Sequence, residues 1–116
     1  MPESISYAKS KAFALRIIRL AEYLQKEHHA FALSDQIMRS GTSIGANIAE
    51  SRCAQSRPDF LSKIYIALKE ASETQYWLDL LYSANYITEP QFQSLITDCN
   101  ELVALLQSTT KTLNPK

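Results

Sequence analysis

The chain has 116 residues, 46% of them apolar, with 12 basic and 12 acidic side chains, two glycines, four prolines and two cysteines. That length fits one domain with its own core, and zero net charge is far from the strongly basic footprint of most nucleic-acid binders. Two cysteines without CxxC spacing exclude a disulfide framework, and the longest uncharged run, Ser40 to Ala49, is too short to span a bilayer.

Apolar residues recur at helical spacing in four segments, which predicts helices over about 4–28, 34–54, 57–85 and 89–110 in a single domain, 1–116. In the first, Phe13, Ile17, Leu20 and Leu24 form one stripe. Tyr7, Ala14, Ile18 and Ala21 form a second beside it, so this helix is expected to touch two neighbours. The second helix is expected to start at Ser34, with Ser34 as its cap, Asp35 in its first turn and Leu33 stapled to Met38. Its apolar line is Ile37, Gly41, Ile44 and Ile48, with the polar strip Ser40, Ser43, Asn47 and Glu50 alongside. Ser56-Arg57-Pro58-Asp59 opens the third helix as a capping box with proline in the first turn, and Phe60, Ile64, Ala67, Ala71, Leu78 and Leu81 are its core. Thr88-Glu89-Pro90-Gln91 opens the fourth in the same way. There Phe92, Ile96, Cys99, Val103 and Leu106 make the predicted face, with Leu95, Leu102 and Leu105 adjoining it, and the chain from Thr109 is expected to fray. All four prolines fall at a terminus or a helix start. With no strand alternation and short connections, the fold class is all-α, an antiparallel up-down-up-down four-helix bundle.

Charge is uneven. Residues 1–57 carry eight basic and five acidic side chains, a net +3, and residues 58–116 carry four and seven, a net −3. The simplest consequence is that the two helical hairpins attract each other; the other is a basic half that meets an acidic partner. Unpaired cysteines point to a reducing, cytoplasmic setting. The first residues, Met1 to Ser6, lack a basic segment followed by an apolar run, so no signal peptide is expected.

Both glycines of the chain lie four apart within a helical segment, Gly41-Thr-Ser-Ile-Gly45, where glycine costs about 0.5–1 kcal/mol against alanine. Close backbone approach to a neighbouring helix is the expected reason. The block from Gln36 to Glu50, QIMRSGTSIGANIAE, resembles the signature of the four-helix bundle family described from proteins encoded in intervening sequences of 23S rRNA genes. Ile66 to Leu78, IALKEASETQYWL, is similar to that family's third-helix pattern. Ser51 and Ser72 are mild departures. The resemblance implies an antiparallel bundle and a homo-oligomer, with five subunits in the structurally known relatives. A related branch is the accessory protein of diversity-generating retroelements, which binds a reverse transcriptase and nucleic acid. The family supplies no catalytic residues.

Asn47 and Glu50 read as a structural network, since no acid–base partner accompanies them. His28 and His29 are adjacent, so they diverge on a helix, and neither Glu-x-x-His nor His-Glu-x-x-His occurs. No metal and no cofactor are expected. The closest arginine before a histidine is Arg19, nine residues ahead of His28, which does not fit a helical ribonuclease toxin. Cys53 and Cys99 read as buried small hydrophobes, and the aromatic side chains as mostly core-facing. Lys9, Arg16, Arg19 and Lys26 gather on one side of the first helix, with Arg39, Arg52 and Arg57 able to extend the patch. Repeated around an oligomer, this patch would contact several phosphates. The expected function is therefore a non-enzymatic, homo-oligomeric binding scaffold that associates with RNA, DNA or a nucleic-acid-handling protein through that face. The alternative is a pure protein-interaction scaffold.

Overall fold

The computed structural model describes residues 4–113, and within them each helix end follows from the residues around it. The elements are α1 (Ile5–His28), α2 (Phe31–Ser51), α3 (Arg57–Ser83) and α4 (Glu89–Leu113). The readings on Pro2, Pro115 and the first three residues lie outside the described residues. Ser4 caps α1 by accepting the Tyr7 N–H at 3.0 Å, and Ser56 caps α3 by accepting that of Asp59 at 3.1 Å. At α4 the capping box is reciprocal: Thr88 N–H donates to Gln91 Oε1 at 2.8 Å and Gln91 N–H to Thr88 Oγ1 at 3.3 Å.

Two helices end on a non-glycine residue in the left-handed region, His29 at φ 51 and Asn85 at φ 65. The following N–H closes each end, Tyr86 onto the Leu81 carbonyl in a Schellman pattern and Ala30 one residue wider, onto that of Leu24. Asparagine tolerates this conformation; histidine does so at a cost. His29→Gly is therefore expected to stabilise the fold by about 1 kcal/mol, read as a raised urea midpoint at unchanged slope.

Sequential helices pack antiparallel, and α1 meets α4 more loosely to close the bundle, 44 × 24 × 23 Å overall. The core is one cluster. Phe13, Ile17, Leu20 and Leu24 of α1 face Ile37, Ile44 and Ile48 of α2; Ile64, Ala67, Ala71, Leu78 and Leu81 of α3 and Leu95, Cys99, Leu102 and Leu106 of α4 complete it.

Several expectations need correction. α2 starts at Phe31, three residues before Ser34, with Ala30 at its cap position and no side-chain cap. Ser34 is buried instead. Its hydroxyl accepts from Gln25 Nε2 at 2.8 Å and donates to the Ala21 carbonyl at 3.1 Å, tying α2 back to α1. Asp35 thus sits beyond the first turn, and the staple has no cap to flank. The buried line of α4 is rotated from the predicted one: Leu95, Leu102 and Leu106 are buried with Cys99, while Phe92, Ile96 and Val103 are half-buried at its edge. The looser α1–α4 packing accounts for this, since α4 leans chiefly on α3. Helix α4 runs on to Leu113 with Thr110 buried, so it does not fray from Thr109. The aromatic side chains are mostly buried or half-buried, as expected, with Tyr23, Phe31, Tyr65 and Tyr76 the exposed ones.

Candidate functional site

The glycine pair lies on the face of α2 that packs against α1. A Cβ built on Gly41 would sit 2.8 Å from both Cγ1 and Cγ2 of Ile17, and one on Gly45 would sit 3.1 Å from Ser10 Oγ. The missing side chains let α1 and α2 approach closely. Asn47 turns within its own helix, donating from Nδ2 to the Ser43 carbonyl at 2.8 Å. Glu50 reaches α3, accepting from Lys63 Nζ at 2.9 Å, and this hydrogen bond and charge raise the lysine pKa above its usual value. The Asn47 bond is local to α2, and the partner of Glu50 is a lysine on the next helix.

Beside them, Ser40 Oγ and Thr74 Oγ1 meet at 3.0 Å in the buried α2–α3 seam. Arg39 bridges Glu70, at 3.2 Å, and Glu73, while Trp77 Nε1 donates to Glu73 at 2.9 Å. The segment from 39 to 50 is thus an inter-helix joint, built from two missing side chains, one hydroxyl pair and a rim of ion pairs.

The basic residues of α1 separate into two groups. Lys9 pairs with Glu101 at 3.1 Å, and Arg16 holds Asp98 at 2.6 Å together with the side chain and carbonyl of Ser94. Both face α4, so the charge difference between the two halves of the chain is used within the bundle. Each such pair is worth no more than ~1 kcal/mol at this exposure. Arg19 and Lys26 lie further round, toward solvent; among the described residues Arg19 pairs only with Glu22, one turn on, and its side chain is 82% exposed. On the same outward side of α1, toward its N-terminus, Ile5 (65% exposed), Ala8, Ala12 and Leu15 (57% exposed) repeat at heptad spacing. Sequence reading assigned two stripes to this helix and overlooked this third one, although its three–four–three spacing was available.

At one end of the bundle the start of α1, the end of α2, the start of α3 and the end of α4 surround an open cavity of about 700 Å³. Ile48, Phe60, Ile64 and Leu113 supply its apolar lining, and Arg52 and Arg57 stand among its polar residues. The Arg52 guanidinium lies 4.1 Å above the Tyr7 ring.

His28 packs edge-on against Tyr23 and Tyr86, with centroids 5.4 and 5.1 Å away, and His29 forms the helix end described above. Among the described residues no three His, Cys, Asp or Glu side chains group as a metal site would need, and no helix is long and apolar enough to cross a membrane.

Contrary to expectation, Cys53 is exposed, because it falls in the turn after α2. Cys99 is fully buried, its Sγ 3.4 Å from the Ala71 carbonyl; burial, with a smaller push from Asp98, raises its thiol to about 12. Native protein is expected to take up one equivalent of iodoacetamide at Cys53, and a second only after unfolding, as counted by mass spectrometry. The same shift sets a sign. Cys99 favours the folded state fully below about pH 9, where the unfolded thiol is also protonated, and the preference is lost as pH climbs toward 12.

Comparison with known proteins places this architecture. The model of the 23S rRNA-intervening sequence protein family matches residues 3–108. No curated protein sequence matches. Among solved structures, a protein of unknown function from the S23 ribosomal protein family of Bacteroides thetaiotaomicron superposes with a TM-score of 0.91 at 51% identity, covering 92% of this chain and 99% of its own. The chain belongs to the 23S rRNA-intervening sequence protein family.

Proposed function

We propose that the chain is a non-enzymatic, self-assembling helical scaffold whose copies meet along the outer seam of α1. The observation that carries this reading is the exposed heptad line Ile5, Ala8, Ala12 and Leu15. Two large apolar residues flank a pair of alanines there, small enough for a second helix to approach, as in a coiled-coil seam. Five copies is the number implied by resemblance to the family. A cytoplasmic setting suits an exposed free thiol.

A second reading adds nucleic acid as the partner. Arg19 and Lys26 continue the same line toward the C-terminus of α1, free of the α4 carboxylates that hold Lys9 and Arg16. The family description and the relative's name carry the words 23S rRNA and S23 ribosomal protein. In this reading Arg19, Lys26, Arg52 and Arg57 form the nucleic-acid face, repeated once per subunit, while Arg39, like Lys9 and Arg16, is held by carboxylates of its own fold.

Light scattering coupled to size-exclusion chromatography tests the first reading. The expected result is an oligomer that Leu15→Glu converts to a folded monomer. A monomeric parent, or an oligomer indifferent to Leu15→Glu, overturns it. The second reading expects salt-dependent binding of structured RNA or duplex DNA that weakens in Arg19→Gln/Lys26→Gln; salt-independent binding or none removes it.

A further inference from the structure

The cavity at the end of the bundle has no part in the scaffold reading. Its volume, about 700 Å³, lies in the range of small-molecule sites. Ile48, Phe60, Ile64 and Leu113 supply its apolar side, and the hydroxyls of Ser4, Ser51 and Ser56, which also line it, are engaged with backbone partners of their own helices. Its arginines differ from others in the bundle. Arg16 and Arg39 are held by carboxylates of α4 and α3. Arg52 and Arg57 have no carboxylate within ion-pair distance among the described residues, and Arg52 is instead steadied over the Tyr7 ring. The nearby acid, Asp59, accepts the Gln55 N–H at 3.1 Å. The starts of α1 and α3 open at this end together with the ends of α2 and α4, so the helix dipoles oppose one another and the sign of the site is set by the two arginines.

We propose that this cavity binds an amphiphilic anion, a carboxylate carried on an unbranched hydrocarbon chain, with the chain against Ile48, Phe60 and Ile64 and the carboxylate at Arg52 and Arg57. Two guanidiniums without a carboxylate partner among the described residues offer forked donors to a carboxylate, and the apolar lining replaces water around the tail. Both features are needed: a free carboxylate such as acetate leaves the lining wet, and a neutral alcohol leaves the guanidiniums unmatched. The site is separate from the α1 seam, so its failure and that of the scaffold reading are distinguishable.

The test is calorimetric titration of the full chain with sodium decanoate below its micelle concentration, beside decanol and sodium acetate. Decanoate is expected to bind saturably at one site per chain, about tenfold or more tighter than either control. In amide-resolved NMR the shifts should gather at Ile48, Phe60 and Leu113. Arg57→Gln, on an exposed side chain that leaves the core intact, should weaken decanoate by about tenfold and leave decanol unchanged. Arg52→Gln/Arg57→Gln should do so further, with the melting curve recorded as the fold check. Three results overturn the proposal: decanol binding as tightly as decanoate, decanoate uptake that never saturates, or decanoate affinity unchanged in Arg57→Gln. Shifts confined to the α1–α4 groove around Arg16, Leu20 and Leu95 would do so as well.

Discussion

Gly41→Leu is expected to abolish cooperative folding or to cost more than about 3 kcal/mol, and Gly41→Ala to cost about 1–2 kcal/mol. The added methyl of alanine falls 2.8 Å from two carbons of Ile17, which is wholly buried and β-branched. Such a side chain has one favoured rotamer in a helix and cannot swing aside. Alanine's better helix propensity returns roughly 1 kcal/mol, less than the strain it creates. Gly45→Ala is the internal control. Its methyl meets the Ser10 hydroxyl at 3.1 Å, and that group needs to give by only a few tenths of an ångström. Ser10 Oγ can shift while keeping its bond to the Tyr7 carbonyl, at 2.9 Å in the parent. Helix propensity then offsets most of the cost, and the variant should stay within about 0.5 kcal/mol of the parent. Urea denaturation of the three variants checks the order. Equal costs at positions 41 and 45 would show that the contact with Ile17 does not set the cost at position 41.

Much of the fold is legible in the residues because periodicity and caps are local properties. The Thr88–Gln91 capping box, Pro58 in the first turn of α3 and the line Ile37, Gly41, Ile44, Ile48 all depend on neighbours within a few positions. What failed depends on distant neighbours. Ser34 has the composition of a cap, but Gln25 and the Ala21 carbonyl on α1 claim its hydroxyl, and α2 extends back beyond it. In α4 the sequence offers two adjoining apolar lines, and only the packing against α3 and α1 decides that Leu95 and Leu102 go deeper than Phe92, Ile96 and Val103. The α1 cations are the sharpest case. Lys9, Arg16, Arg19 and Lys26 share one side of a helix, yet only the placement of Asp98 and Glu101 decides which of them remain free for a partner.

The same reasoning bears on function. A cation already held by a carboxylate of its own fold must break that pair before it meets a phosphate. Lys9 and Arg16 are therefore weaker contributors to any nucleic-acid face than Arg19 and Lys26. The outward line of α1 is apolar in its first half and basic in its second, apart from Glu22. Under the proposed scaffold reading those halves suit different tasks: a neighbouring copy would remove the first from water, and the second would gain from repetition around the assembly.

Thr74→Val is expected to cost about 1–3 kcal/mol, and Ser40→Ala/Thr74→Val to lie closer to the parent than the sum of the two single changes. Both hydroxyls are wholly buried, and they face each other across the α2–α3 seam at 3.0 Å. Thr74 Oγ1 also donates to the Glu70 carbonyl of its own helix at 2.8 Å. Valine keeps the shape of threonine, so the packing against Ala71 and Leu78 changes little. What changes is that the Ser40 hydroxyl loses its cross-helix partner in a site where water cannot replace it. Removing both hydroxyls removes that orphan. The coupling between the two positions should therefore be about 1 kcal/mol, measured by a double-mutant cycle on urea midpoints. Strict additivity would mean that the two groups are spectators of apolar packing. Spacing pointed to Thr74 all along, since it stands between Ala71 and Leu78 on the core line of α3. Its partner, Ser40, is one residue before Gly41. The hydroxyl pair and the close approach of α1 are thus set on neighbouring positions of α2, where a single turn of helix meets both adjacent helices.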